Sequence, residues 1–327
     1  MHIEFLEMLR CPKTGQRLVL KDSVYRNDQI YSASLVSEDG QFSYSVRDFI
    51  PRFVPESNYA DNFGMQWNKF RQTQLDSYSG HPISADRFWK ATGWKPEDIA
   101  GKWVLDVGCG AGRFAEVALK AGAKVVALDY SSAVTACFDN LRRHPNLHVV
   151  QGDIYALPFP LGAFPFVYSL GVLQHTPNVG RAFAALPPMV TAGGRLCTDF
   201  YWKRLRTMLH AKYLVRPITK RLPQETLFRL LEITVPLLLK SSQLIGRIPF
   251  AGRYLKRIVP VADYTGVYLL DKRQLEEWAL MDTFDMLGPQ YDNPQSERKI
   301  RQWMEKAGLK KVDVFHASLL VVRGVKP

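Results

Sequence analysis

The sequence predicts an α/β chain: a mostly parallel sheet covered on both faces by helices, with a small β-rich segment before it and a helical insertion near its end. Three observations carry this prediction. From residue 102 onward, short apolar strands alternate with helix-length segments, the pattern of a parallel sheet with crossover helices. The first of these strands, "VLDVGCGAGRF" at 104–114, runs into a turn of three glycines. The alternation is interrupted once, over residues 201–260, by a block rich in Leu, Ile, Lys and Arg that five prolines (217, 223, 236, 249 and 260) divide into short helical pieces.

Taken in order, residues 1–56 read as a small β-rich module, because "QRLVL", "QIYSASLVS" and "QFSYSVRDFIPRF" alternate β-branched and aromatic residues between turns. Residues 57–100 read as a helical lid or linker, with Phe63, Trp67 and Phe70 at helical spacing. Residues 101–202 form the core. Its strands are "WVLDVG", "KVVALD", "LHVVQGD", "PFVYSLGVL" and "GRLCTDFY", and its helices are "GRFAEVALKAG", "SSAVTACFDNLRRH" and "VGRAFAAL", the last shortened by Pro187 and Pro188. Residues 203–295 are a basic helical insertion. Residues 296–327 add a helix ending at Gly308 and two strands, "KVDVFH" and "LLVVRG", close enough to pair as a hairpin.

Composition narrows the function classes. Four cysteines (Cys11, Cys109, Cys137 and Cys197) are scattered with no CxxC pair, which argues against a disulfide framework and against a zinc site; no metal is expected. The start, "MHIEFLEMLRCP", lacks a signal-peptide profile, and "PLLL" is the longest clean apolar run, so the expectation is a cytoplasmic protein. The net charge of +12 is concentrated: residues 201–260 carry 13 basic and 2 acidic side chains, while the rest nearly balances. A partner for that block would be anionic.

The glycine turn departs from a dinucleotide fingerprint. Arg113 follows Gly108-x-Gly110-x-Gly112 where a last glycine would stand, and Asp106 sits two residues before the first glycine, a poor neighbour for a pyrophosphate. Both features suit a cationic ligand without phosphate. Here the chain resembles the class I S-adenosylmethionine-dependent methyltransferases (the type 11-like branch), over about 102–202 and again over 296–325. The resemblance implies a Rossmann-like, seven-stranded, mostly parallel sheet with a terminal antiparallel hairpin. It also implies S-adenosyl-L-methionine as cofactor and S-adenosyl-L-homocysteine as product. On it, Gly108, Gly110 and Gly112 face the methionine part, Asp129 stands at the place of the acid that binds both ribose hydroxyls, and Asp153 matches the acid near the adenine amino group, with Ile154 flanking the ring; Asp106, Cys109, Arg113 and Tyr130 are further cofactor-binding candidates. Leu170 and Gly171 of "SLGVLQHTPN" lie under the cofactor. Asp106 and Asp129 as plain strand-end caps are the competing reading. The first residues, "LEMLRCPKTGQ", are similar to zinc-ribbon modules that accompany some methyltransferases, but Thr14 stands where the second knuckle cysteine would be, so metal binding is expected to be lost.

Methyl transfer needs an acceptor aligned with the S–CH3 bond and, for a hydroxyl, a base. His175 follows the fourth core strand and is the candidate base, with a hydrogen-bonded structural histidine as the alternative; His210 and Asp199 are weaker candidates, and His316 suits a structural role. Tyr59, Phe63, Trp67, Tyr201, Asp285 and Tyr291 are candidate acceptor contacts. The acceptor expected is a small molecule, a glycan or a lipid-linked intermediate, with 201–260 able to touch an anionic membrane face. An RNA acceptor ranks lower because aromatics are sparse in the basic block. A protein that binds the cofactor without turnover is the other alternative.

Overall fold

Described residues are 1–55, 60–204 and 211–327 of a computed structural model. Its strands are β1 (Leu18–Arg26), β2 (Gln29–Ser37), β3 (Ser43–Arg47), β4 (Ile50–Arg52), β5 (Trp103–Val107), β6 (Lys124–Asp129), β7 (Leu147–Gln151), β8 (Phe164–Ser169), β9 (Val190–Phe200), β10 (Lys310–Ala317) and β11 (Leu319–Val325). Its helices are α1 (Asp61–Lys69), α2 (Asp76–Ser79), α3 (Ile83–Thr92), α4 (Pro96–Ile99), α5 (Arg113–Lys120), α6 (Ala133–Leu141), α7 (Val179–Ala184), α8 (Lys212–Thr219), α9 (Gln224–Gly246), α10 (Gly252–Leu255), α11 (Lys272–Leu287) and α12 (Glu297–Lys306).

All strands belong to one sheet, ordered β1-β2-β3-β4-β7-β6-β5-β8-β9-β11-β10. The seven strands from β7 to β10 are the predicted core. Five of them are parallel, and the closing hairpin enters antiparallel, with Val322 opposite Thr198. Val104, Leu105, Val125, Val126, Val149, Val150 and Val167 are buried from both sides, as a sheet covered on both faces requires. Strand order reverses between β5 and β8, so a crevice opens beyond their carboxyl ends.

Two expectations change. The N-terminal β-rich segment extends the core sheet instead of standing apart: β4 runs parallel to β7, Arg52 Nη1 donates to Gln151 Oε1 (2.6 Å) and Phe5 stacks on His148. Within it Cys11 is buried, closing a tight turn with its sulfur 3.3 Å from the Tyr44 hydroxyl. Secondly, the prolines do not divide the insertion as expected, because Pro236 lies inside the 23-residue α9. An interior proline costs about 3 kcal/mol. Burying Leu227, Leu231, Val235 and Leu239 against Met281, Phe284 and Leu287 of α11 returns roughly 6–12 kcal/mol at about 1.5–3 per side chain, so packing wins.

Candidate functional site

The glycine turn is fixed from below by backbone and from the side by one carboxylate. Gly108 and Cys109 donate their N–H groups to the Leu128 carbonyl at 2.7 and 3.0 Å. Gly110 N–H donates to Asp129 Oδ2 (2.9 Å), while Asp129 Oδ1 accepts from the backbone and hydroxyl of Ser131 at 2.8 and 2.7 Å. Burial raises the Asp129 carboxyl above its ordinary range against the pull of these donors. Gly108 has φ +87°, and a side chain there would collide with Val172. The turn is therefore bare backbone facing a cleft.

That cleft measures about 950 Å³ counting its open mouth. Gly108, Cys109, Gly110, Arg113, Asp129, Tyr130 and Ile154 line it, together with Leu170 and Gly171 from the end of β8. Phe63 and Trp67 reach it from α1, which lies close on α6 because Gly64 leaves no side chain to strike Ser132. His175 and Asp285 complete the set.

Other predicted residues lie elsewhere. Asp106 is not a cleft residue: it is buried beneath the turn, opposite Tyr168 in β8, and burial pushes its carboxyl up to about 8. Its Oδ2 has no hydrogen-bond partner. Gly112 caps α5 and packs on α6, where an added Cβ would come within 2.7 Å of Leu141. Asp153 stands between cleft residues Gly152 and Ile154, its Oδ1 accepting from Tyr155 N–H. Tyr201 abuts His175 edge-on at 5.4 Å without lining the cleft. Tyr291 contributes its backbone carbonyl, which meets His175 Nδ1. Tyr59 and His210 lie outside the described residues. His316 stacks on Trp202 at 3.6 Å, away from the cleft. Asp199 acts as a brace: its Oδ1 accepts from Gly171 N–H and its Oδ2 from Arg87 Nη2 at 2.8 Å.

His175 is held in one tautomer. Its Nδ1 lies 3.0 Å from the Tyr291 carbonyl, which can only accept, so Nδ1 carries the proton and Nε2 the lone pair. Nε2 is buried without a partner. The carbonyl is positioned by a loop stitched to its surroundings: Asn293 N–H donates to the Gln174 carbonyl and Asn293 Nδ2 to the Thr176 carbonyl. Below it, Lys212 pairs with Asp292 at 2.6 Å, and Arg216 donates to the carbonyls of Met286 and Pro289. Two cations of the basic block are thus internal ties. Arg221, Arg229, Lys240 and Arg247 remain exposed.

Sequence reasoning missed a buried polar chain beside the cleft. Arg113 Nη1 donates to Gln74 Oε1 (2.7 Å), Gln74 Nε2 to Asp282 Oδ1 (3.3 Å), and the Tyr264 hydroxyl to Asp282 Oδ2. Burial, then repulsion from Asp285, pushes the Asp282 carboxyl up to about 6; burial lowers Arg113 to about 10. Gln74 carries no sequence signal, lying between Thr73 and Leu75 outside any motif.

Residues 105–198 match the family model described as "Methyltransferase domain". The chain carries an S-adenosylmethionine-dependent methyltransferase domain. The tRNA U34 carboxymethyltransferase of Shewanella piezotolerans is 35% identical over 143 residues, 40% of this chain and 42% of that protein. That of Shewanella sediminis is 34% identical over 142 residues, with the same coverage. The chain spans about two fifths of the length of these curated relatives. A solved magnesium protoporphyrin IX methyltransferase from Synechocystis PCC 6803, with bound S-adenosylhomocysteine, is 15% identical with a TM-score of 0.45, covering 82% of this chain and 97% of that one.

The methyltransferase domain's residues fit its cofactor. A side chain at Gly108 would fill the cradle, the Asp129 carboxylate, with three of its acceptor sites taken by Gly110 and Ser131, has one on Oδ2 left that would accept from a ribose hydroxyl, and Ile154 and Leu170 offer apolar flanks. An adjacent buried imidazole nitrogen lacks a partner that an acceptor could supply.

Proposed function

We propose that the chain is an O-methyltransferase in which His175 takes the proton from an acceptor hydroxyl. The observation that supports this reading is the unpartnered, buried Nε2 of His175, a residue of the cleft lining, with Nδ1 on the Tyr291 carbonyl. When bound, the cofactor supplies a methyl group on a positively charged sulfur. Asp129 and the glycine turn hold that cofactor, and Trp67, packed over Gly110, helps exclude water. His175 Nε2 accepts the hydroxyl proton as the acceptor oxygen becomes a nucleophile. Asp285 lines the same cleft, where burial raises its carboxyl above the ordinary range; once ionised it stabilises the resulting imidazolium. Phe63 and Tyr201, edge-on at 5.3 and 5.4 Å, keep the ring from turning away.

The acceptor we propose is a small molecule, a glycan or a lipid-linked intermediate. An RNA acceptor is the second reading, favoured by the tRNA-modifying relatives. Methyl-labelled cofactor incubated with purified protein and a lysate depleted of it separates the two. Label in the small-molecule or lipid fraction supports the first reading; label in RNA moves the acceptor to the second and leaves the domain's chemistry in place.

A further inference from the structure

The longest helix of the insertion, α9, is apolar on two opposite sides. One side buries Leu227, Leu231, Val235 and Leu239 against α11. On the other, Leu230, Ile233, Leu237 and Leu244 recur at helical spacing in solvent, 47, 70, 61 and 66% exposed. The chain then leaves the helix through Ile248 and Phe250, the latter 96% exposed. A helix lying on a core needs only the first stripe. A second stripe of bulky aliphatics, with a bare phenyl ring at its end, is the mark of a surface that meets an apolar partner.

The charges beside that stripe say which partner. At 100° per residue, Arg229, Lys240 and Arg247 fall along one flank of it, all exposed. Arg257 is exposed beyond the turn. Of the two glutamates of α9, Glu232 is paired with Lys69 and Glu225 lies in the first turn, on the helix dipole. No described helix is long and apolar enough to cross a membrane, so the stripe lies on its partner.

We propose that this face binds the surface of an anionic lipid bilayer, with the aliphatic stripe and Phe250 at the acyl boundary and the arginines and lysines at headgroup level. A second copy of the chain would bring two basic rows together. Nucleic acid would want a row of exposed aromatic planes for stacking, and along α9 this stripe is aliphatic, with exposed rings only beyond its end at Phe250 and Tyr254. The opposite stripe of α9 packs on α11, which carries Asp285 into the cleft. Docking therefore places the insertion between the bilayer and the site, whatever the acceptor is.

Co-sedimentation of the full chain with vesicles tests this. Vesicles of phosphatidylcholine with phosphatidylglycerol should pull the protein down at low salt, phosphatidylcholine alone should not, and added salt should release it. Leu237→Ser and Phe250→Ser should leave Tm unchanged and weaken vesicle binding about tenfold each. Lys240→Gln and Arg247→Gln should each weaken it about fivefold. Equal binding to both vesicle types, or binding indifferent to all four substitutions, overturns the proposal. So does self-association, by sedimentation equilibrium, that Leu237→Ser abolishes, or RNA that displaces the protein from vesicles.

Discussion

The two walls of the cleft are built differently. The cofactor wall comes from contiguous sequence: a strand, its glycine turn and the end of the next strand, with Gly110 N–H and the Asp129 carboxylate in direct contact. The wall around His175 is assembled from a distance. His175 follows β8, the carbonyl that orients it is that of Tyr291, and the cations that tie down that loop are Lys212 and Arg216. The first wall is secured by backbone and survives most side-chain changes. The second depends on long-range pairs.

His175→Ala should widen this contrast most. Turnover is expected to fall on the order of 10²–10⁴-fold, the usual contribution of a general base, with cofactor affinity by calorimetry unchanged. Normal turnover would return His175 to a structural role. Asp292→Ala strikes the same wall from behind. It removes the carboxylate that pairs with the buried Lys212 ammonium, so thermal or urea unfolding should show a loss of about 3–5 kcal/mol. A loss below about 1 kcal/mol would mean that the pair does not hold the loop.

Asp129→Ala attacks the other wall. Removing a carboxylate that also accepts three hydrogen bonds from Gly110 and Ser131 should weaken cofactor binding about 100-fold and lower Tm as well; unchanged affinity would sink the ribose assignment. The smallest functional effect is expected one strand over. Asp106→Asn should leave cofactor affinity within about threefold, because the carboxyl lies under the turn. Its effect is on stability instead. The folded carboxyl titrates at about 8, well above the unfolded range near 4, so the native state holds a proton that the unfolded state releases. Native stability should therefore fall as pH rises from about 4 to 8, and Asp106→Asn should remove that part of the slope. Parallel pH–Tm curves for the two proteins would contradict this.

These contrasts also mark what the sequence could reveal. The strands, helices and closing hairpin of the core, and the glycine turn with Asp129, are local patterns whose spacing carries their meaning. Asp106 reads like Asp129 in sequence, yet one sits beneath the turn and the other in the cleft, and only sheet geometry separates them. His175 was legible by position. Its fixed tautomer was not, because the carbonyl that orients it lies 116 residues away. Pro236 misled because a local propensity was outweighed by packing on α11. The link between Gln74 and Asp282 spans 208 residues and leaves no local trace.

The junction of β4 with β7 has a consequence for the order of events during synthesis. Arg52 and Gln151, its two hydrogen-bonded partners, are 99 residues apart. At about 5–20 residues per second, the ribosome delivers the second on the order of 5–20 seconds after the first. Through that interval β4 is an open edge, able to pair with any strand that meets it. β1 to β3 find their partners locally, but the free edge of β4 must wait for one from the middle of the chain, so slowed elongation before residue 151 is a point at which this protein is exposed to aggregation.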